Sequence, residues 1–245
     1  MIPYDLDFPR VAAVLLIFVM WMAYGPILTL LGRGTLNAQL HVVRLRWMRM
    51  LLDSPRENRV IDAIMLGQLS SSMSFFGSAT LILLAGLVGT LASINRVHAS
   101  LTTMSFFPPM SLGVFAMYFG ALTIIMATSF FSFTYALRKL AYALAMIGGL
   151  NNAGNLTPHC TTMIAQTAVV LTESVKSLNN GIRGYYFAVA ALFLFVGHYV
   201  AMTVTISVSL LLLYRQGFST ESLAIERYVT AMNDLEVEAE RNSRL

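Results

Sequence analysis

Residues 11–31, VAAVLLIFVMWMAYGPILTLL, decide the fold. This run holds no Asp, Glu, Lys or Arg. An α-helix rises about 1.5 Å per residue, so about 20 apolar residues cross the roughly 30 Å of hydrocarbon in a bilayer. Within that layer no water satisfies peptide groups, and a helix satisfies its own. Three further stretches have the required length and no Asp, Glu, Lys or Arg in their interiors: Gln68–Ala92, Ser111–Leu137 and Tyr185–Tyr214. One such charge at mid-helix costs roughly 2.5–3.5 kcal/mol on insertion. Membrane β-barrels are built instead from strands of about 10 residues with alternating polarity. The fold expected is all-α: an integral membrane bundle of about four transmembrane helices over residues 1–220, and an acidic tail over 221–245.

Composition agrees. The chain is 57% hydrophobic and 11% charged, with a mean hydropathy of +0.69; soluble domains carry about 25% charged residues. The opening MIPYDLDFPR has two Asp and one Arg, unlike the positive start of a secretory signal. A single cysteine, Cys160, provides neither a disulfide framework nor a Cys-cluster metal site.

Charge distribution sets an expected orientation. The connection after the first span holds Arg33, Arg44, Arg46, Arg49, Arg56 and Arg59 against Asp53, Glu57 and Asp62. The second connection holds Arg96 alone. The third holds Arg138, Lys139, Lys176 and Arg183 against Glu173. By the positive-inside rule the first and third are cytoplasmic. Both termini then face outward, which for a bacterial inner membrane is the periplasm. From Arg215 onward six acids face four bases, in keeping with that side.

The connections read as helical. Ser54-Pro55-Arg56-Glu57 has the residues of a capping box with Pro at the first helical position, and the helix is expected to run through Ile61 and Met65 into the second span. Residues 37–53 mix Arg with Trp47, Met48, Met50 and Leu51, an amphipathic stretch suited to anionic headgroups. The third span continues past Arg138-Lys139 to Gly148-Gly149, and residues 151–155 (NNAGN) read as a loop. A helix restarts at Thr157-Pro158 with an apolar stripe of Ile164, Ala168, Leu171, Val175 and Leu178. Asn179, Gly181 and Gly184 are expected to break it before the fourth span. In the tail, Ile225, Tyr228, Val229, Met232 and Leu235 trace one face of a further amphipathic helix, whose acidic side suits a protein partner.

Polar residues within spans are expensive. Gly67, Ser71, Ser74, Ser78 and Ala85 share a face of the second span; Gly113, Ala116, Gly120, Thr123, Ala127 and Thr134 one of the third; His198, Met202, Thr205 and Ser209 one of the fourth. Two readings stand: close helix packing through small residues, or stripes converging on a hydrated path. His198 is either a neutral imidazole bonded to a neighbouring helix or a proton carrier, and no intramembrane carboxylate is there to serve it. The run Asn179-Asn180-Gly181-Ile182-Arg183-Gly184-Tyr185-Tyr186-Phe187 brings one Arg and two Tyr to a span entrance. They are either a snorkelling cation with an aromatic belt or a clamp for lipid phosphate or carboxylate. With Arg44, Trp47 and Arg138, the residues Arg183, Tyr185 and Tyr186 are the lipid- or anion-binding candidates. No catalytic constellation, cofactor motif or metal spacing is found, so no enzyme activity, cofactor or metal is expected. The arginines lie where lipid accounts for them, so nucleic acid is not expected as a partner.

Several elements resemble, in order, a family of bacterial and plant membrane proteins known as domain of unknown function 599. They are the Arg-rich stretch with Trp47, Arg59-Val60-Ile61-Asp62, Ser74-Phe75-Phe76-Gly77-Ser78 and Phe131-Ser132-Phe133-Thr134-Tyr135-Ala136-Leu137-Arg138. Asn180-Gly181-Ile182-Arg183-Gly184-Tyr185-Tyr186-Phe187 and Leu213-Tyr214-Arg215-Gln216-Gly217-Phe218-Ser219 complete the set. The resemblance spans roughly residues 10–220, implies four spans and supplies no activity. Phe193 and Phe195 stand where the family pattern has a Trp. The leading expectation is an accessory or scaffold subunit that oligomerises or joins a larger membrane complex, with membrane lipid as a partner. The alternative is an oligomeric channel or small-solute transporter, its pore lined by the second span and the His198 stripe.

Overall fold

Apolar runs that must satisfy their own peptide groups become helices, and the computed structural model is 93% helical, with no strand among the described residues. These are 5–30, 36–53, 59–103, 108–150, 157–217 and 219–242. The elements are α1 (Phe8–Leu30), α2 (Leu36–Asp53), α3 (Arg59–Ala92), α4 (Ile94–Thr102), α5 (Leu112–Gly149), α6 (Pro158–Leu192), a 3₁₀ turn (Phe193–Phe195), α7 (His198–Gly217) and α8 (Thr220–Asn242). Four helical stretches are long and apolar enough to cross a membrane: Phe8–Ile27, Val60–Ala92, Leu112–Gly149 and His198–Leu235.

Several local expectations hold. α3 runs unbroken from Arg59 through the second span, and α5 continues past Arg138 to Gly149. α6 begins at Pro158, and the Thr157 hydroxyl accepts the Cys160 N–H at 3.3 Å, satisfying one free donor of the first turn. The Ser54–Glu57 capping box and the 151–155 loop lie outside the described residues.

The chain divides into two compact units. The first takes Met1–Pro26, Ser71–Tyr135 and Ser177–Leu211. Its core is the face of α5 carrying Val114, Phe115, Tyr118, Leu122, Ile125 and Phe133 at helical spacing, all buried. Against it α6 runs antiparallel. A Cβ on Gly181 would meet the Phe133 ring at 2.5 Å, one on Gly184 would collide with Ser129 Oγ, and Phe195 packs edge-on against Phe115 with centroids 5.4 Å apart. Phe76 of α3 stacks on Phe133 at 5.6 Å. Ahead of α1, Asp5 pairs with Arg10 at 2.5 Å and accepts the Ser111 N–H at 2.8 Å.

The second unit takes Ile27–Ser70, Ala136–Lys176 and Leu212–Leu245. The expected stripe of α6 is buried here at Ile164, Ala168 and Leu171, and Ser174 donates to the Ala136 carbonyl of α5 at 2.7 Å. Glu173 forms the expected pair with Lys176 at 3.0 Å and also meets Lys139 at 3.5 Å. α8 packs on α2: Met232 is buried, and its carbonyl accepts from Arg46 Nη1 at 3.3 Å.

One expectation is corrected. Asn179, Gly181 and Gly184 do not break α6, and residues 185–214 are not one helix; α6 passes through to Leu192 and the interruption falls at 193–197. The physical reason is that in an apolar setting these glycines serve close approach to α5, not helix termination. Leu194 and Phe195 turn inward instead, and the Gly197 N–H bonds Phe193 O at 3.0 Å before α7 starts.

Candidate functional site

α2 carries Asn37, His41 and Arg44 at i, i+4 and i+7, a spacing that puts them on one helix face. All three reach Thr172 of α6. Asn37 Nδ2 donates to the Thr172 carbonyl at 3.1 Å, His41 Nδ1 lies 3.0 Å from the Thr172 hydroxyl, and Arg44 Nη1 lies 3.2 Å from that hydroxyl and from the Asn37 carbonyl. Burial of the Arg44 guanidinium pushes its pKa down. Arg44 therefore joins the first and third connections of the second unit. The sequence held the signal in that spacing, but not the partner.

Trp47 is likewise turned inward. Its indole Nε1 donates to Asp62 Oδ1 at 2.6 Å, a charge-assisted bond between α2 and the start of α3. Asp62 helps line a cavity of about 500 Å³ with Leu51, Leu66, Gly67, Leu144 and Ile147. Among the described residues of this lining Asp62 is the one ionisable group. Arg138 stays exposed at the surface, donating Nε to Tyr142 Oη at 2.6 Å.

In the first unit the span-entrance run separates. Tyr185 is committed to α3: its hydroxyl donates to the Phe76 carbonyl at 3.2 Å and bonds the Thr80 hydroxyl, and its ring lies 5.5 Å from that of Phe133. Arg183 is half-buried, with its guanidinium over the Tyr24 ring at 4.8 Å and Nε enclosed without an acceptor. Tyr186 is half-buried one turn further along α6.

The polar faces do not converge. Ser71, Ser74 and Ser78 are exposed on α3, whose buried positions among the described residues are Leu66, Met73, Gly77 and Thr80. Thr205 and Ser209 are buried and bond back to the Ala201 and Thr205 carbonyls at 2.7 and 2.8 Å. Thr123 bonds back to Phe119 O at 2.8 Å. His198 opens α7, directly after the 3₁₀ turn, and its ring lies 4.2 Å from that of Tyr199. It thus stands at a helix end, not mid-span as its place within 185–214 suggested. Among the described residues no three His, Cys, Asp or Glu side chains gather as a metal set.

Residues 12–221 match the family described as Protein of unknown function, DUF599. The chain belongs to that family. The motifs that carry the resemblance fall on the contacts just described: Trp47 with Asp62, Phe76 with Phe133 and Tyr185, and Gly181 with Phe133. Neither a curated protein nor a solved structure matches.

Proposed function

We propose that this DUF599 member is a non-catalytic subunit of the bacterial inner membrane, self-associating through the outward face of α3 as an accessory or scaffold component. The observation that carries this is the exposure of α3. Only 11% of its apolar window is buried, and Ser71, Ser74 and Ser78 look outward with Ala85, Gly86 and Gly89 further along. Lipid tails pack no better on small hydroxylated residues than on Leu, whereas a second helix gains close backbone approach and hydroxyl hydrogen bonds there. The channel reading has less support, since the α3 serines and the Thr205–Ser209 stripe share no path.

For the orientation, the charge distribution is the support: the basic first and third connections face the cytoplasm.

Single cysteines at Ser74 and Ser78, oxidised in native membranes, test the association. Cross-linked dimers there and not at exposed Ile124 of α5 support it; no dimer at either serine position removes it. A reporter inserted in the first connection reads the orientation, and activity only on the outer side rejects it.

A further inference from the structure

Burying a charged group is costly, and most side chains escape by changing protonation state. An arginine cannot, because its guanidinium stays protonated at any ordinary pH. Arg183 sits in this position. It lies in the polar first half of residues 177–196 (SLNNGIRGYY), half-buried, with Nε enclosed and, among the described residues, no acceptor on it. Among the described residues it has no ion pair and no hydrogen bond; what it has is the face of Tyr24, 4.8 Å from the guanidinium carbon. That contact leaves the edge of the guanidinium, where its N–H groups point, unused. A cation–π contact offsets only part of the cost of enclosing a cation that lacks a counter-charge. A negative charge is the missing component.

The neighbours of Arg183 specify its kind. Asn180 and Tyr186 stand three residues to either side, one turn below and one turn above on the same flank of α6. Both are half-buried, and among the described residues neither side chain has a hydrogen-bond partner. An amide, a guanidinium and a phenol therefore line one flank over about two turns, with a tyrosine ring closing one side of the cation. Tyr185, the adjacent phenol, is excluded because its hydroxyl is spent on Phe76 and Thr80. Several N–H and O–H donors around one fixed positive charge match the several acceptor oxygens of a phosphate, and a guanidinium fork binds two of them at once.

We propose that Asn180, Arg183 and Tyr186, with Tyr24 against the guanidinium, bind a single phosphate group at the end of the bundle facing the basic connections. The occupant is the phosphodiester of an anionic phospholipid. Its acyl chains lie along the apolar exterior of the first unit while Arg183 holds the headgroup within the span entrance. The site is independent of the α3 association face.

The test uses the full-length protein in nanodiscs of phosphatidylcholine alone or with phosphatidylglycerol, and in detergent with added inorganic phosphate. Thermal unfolding and native mass spectrometry of retained lipid are read together. Phosphatidylglycerol should raise the wild-type midpoint by several degrees and stay bound through detergent exchange, and Arg183→Gln should weaken retention at least tenfold. Arg183→Lys keeps the charge without the fork and should fall between. If Arg183→Gln fails to fold, Asn180→Ala with Tyr186→Phe removes two donors without touching the cation and should weaken retention by several-fold. Equal stabilisation by inorganic phosphate at matched occupancy would make the site one for a free anion and overturn the lipid assignment. Identical retention in wild type and every variant, or no preference over phosphatidylcholine, overturns the site.

Discussion

α3 and α6 are both rich in small residues, and they use them oppositely. On α6, Gly181 and Gly184 are buried against Phe133 and Ser129, so the missing side chains are what let the two helices meet. On α3, Ser71, Ser74, Ser78, Gly86 and Gly89 look outward, and a Cβ added to either glycine would meet nothing within 4 Å. The same composition thus marks a contact already made on one helix and an open face on the other. In a bilayer, where the hydrophobic effect does not drive helices together, such close-approach faces carry much of the packing.

This contrast can be broken most severely at Gly184. Gly184→Val should destabilise the protein by about 3 kcal/mol, at the upper end of ordinary overpacking, read as a fall in the unfolding midpoint in detergent. Adding Ser129→Gly should recover part of the loss. A neutral Gly184→Val would mean that α6 does not approach α5 through this residue. A control away from both stripes, Trp47→Phe, strips Asp62 of its indole donor and should cost about 1.5–3 kcal/mol, the range for a hydrogen bond to a charged group. Asp62→Asn, which keeps an acceptor, should cost less.

On α3 the effect should fall on association, not stability. Ser78→Leu is expected to shift the monomer's unfolding by less than about 0.5 kcal/mol, as for an exposed site, while reducing the cross-linked dimer. A large loss of monomer stability would instead place Ser78 within the monomer's own packing. The smallest effect belongs to the segment ahead of α1. Burial acts to raise the Asp5 pKa, but hydrogen bonds from Ser111 and Arg10 outweigh it and hold the carboxyl below its usual value. Stability from this group is therefore complete above the unfolded value of about 3.9 and is lost as pH falls through the lower folded one. Asp5→Asn should remove that acid dependence and cost under about 1 kcal/mol, since the ion pair is partly solvated.

Much of this was legible residue by residue. The continuity of α3 from Arg59 through its span, the extent of α5, the Thr157 cap, the Glu173–Lys176 pair and the buried stripe of α6 follow from spacing and capping chemistry, which act within a few residues. The family resemblance could be read from ordered motifs because those motifs are the contact points. Gly181 and Gly184 looked like breakers because glycine is a poor helix former in water, where no neighbour rewards its small size. For Trp47, Arg44 and Tyr185 the sequence pointed to headgroups, which amphipathic side chains suit, and did not show the partners they have on other helices.

The sequence by itself therefore determined that the chain is helical, that it has four stretches apolar enough to cross a membrane, and that its cations gather on two connections. Length, hydropathy and the cost of unsatisfied peptide groups impose these without reference to any neighbour. Only the tertiary structure decided where the polar side chains go: Asn37, His41 and Arg44 to Thr172, Trp47 to Asp62, Tyr185 to Phe76, and α8 onto α2. It also set Arg183 against Tyr24, with no acidic side chain on it among the described residues. A donor's spacing is local, but its acceptor lies on another helix up to 186 residues away, and no periodicity along one helix encodes which helix that is.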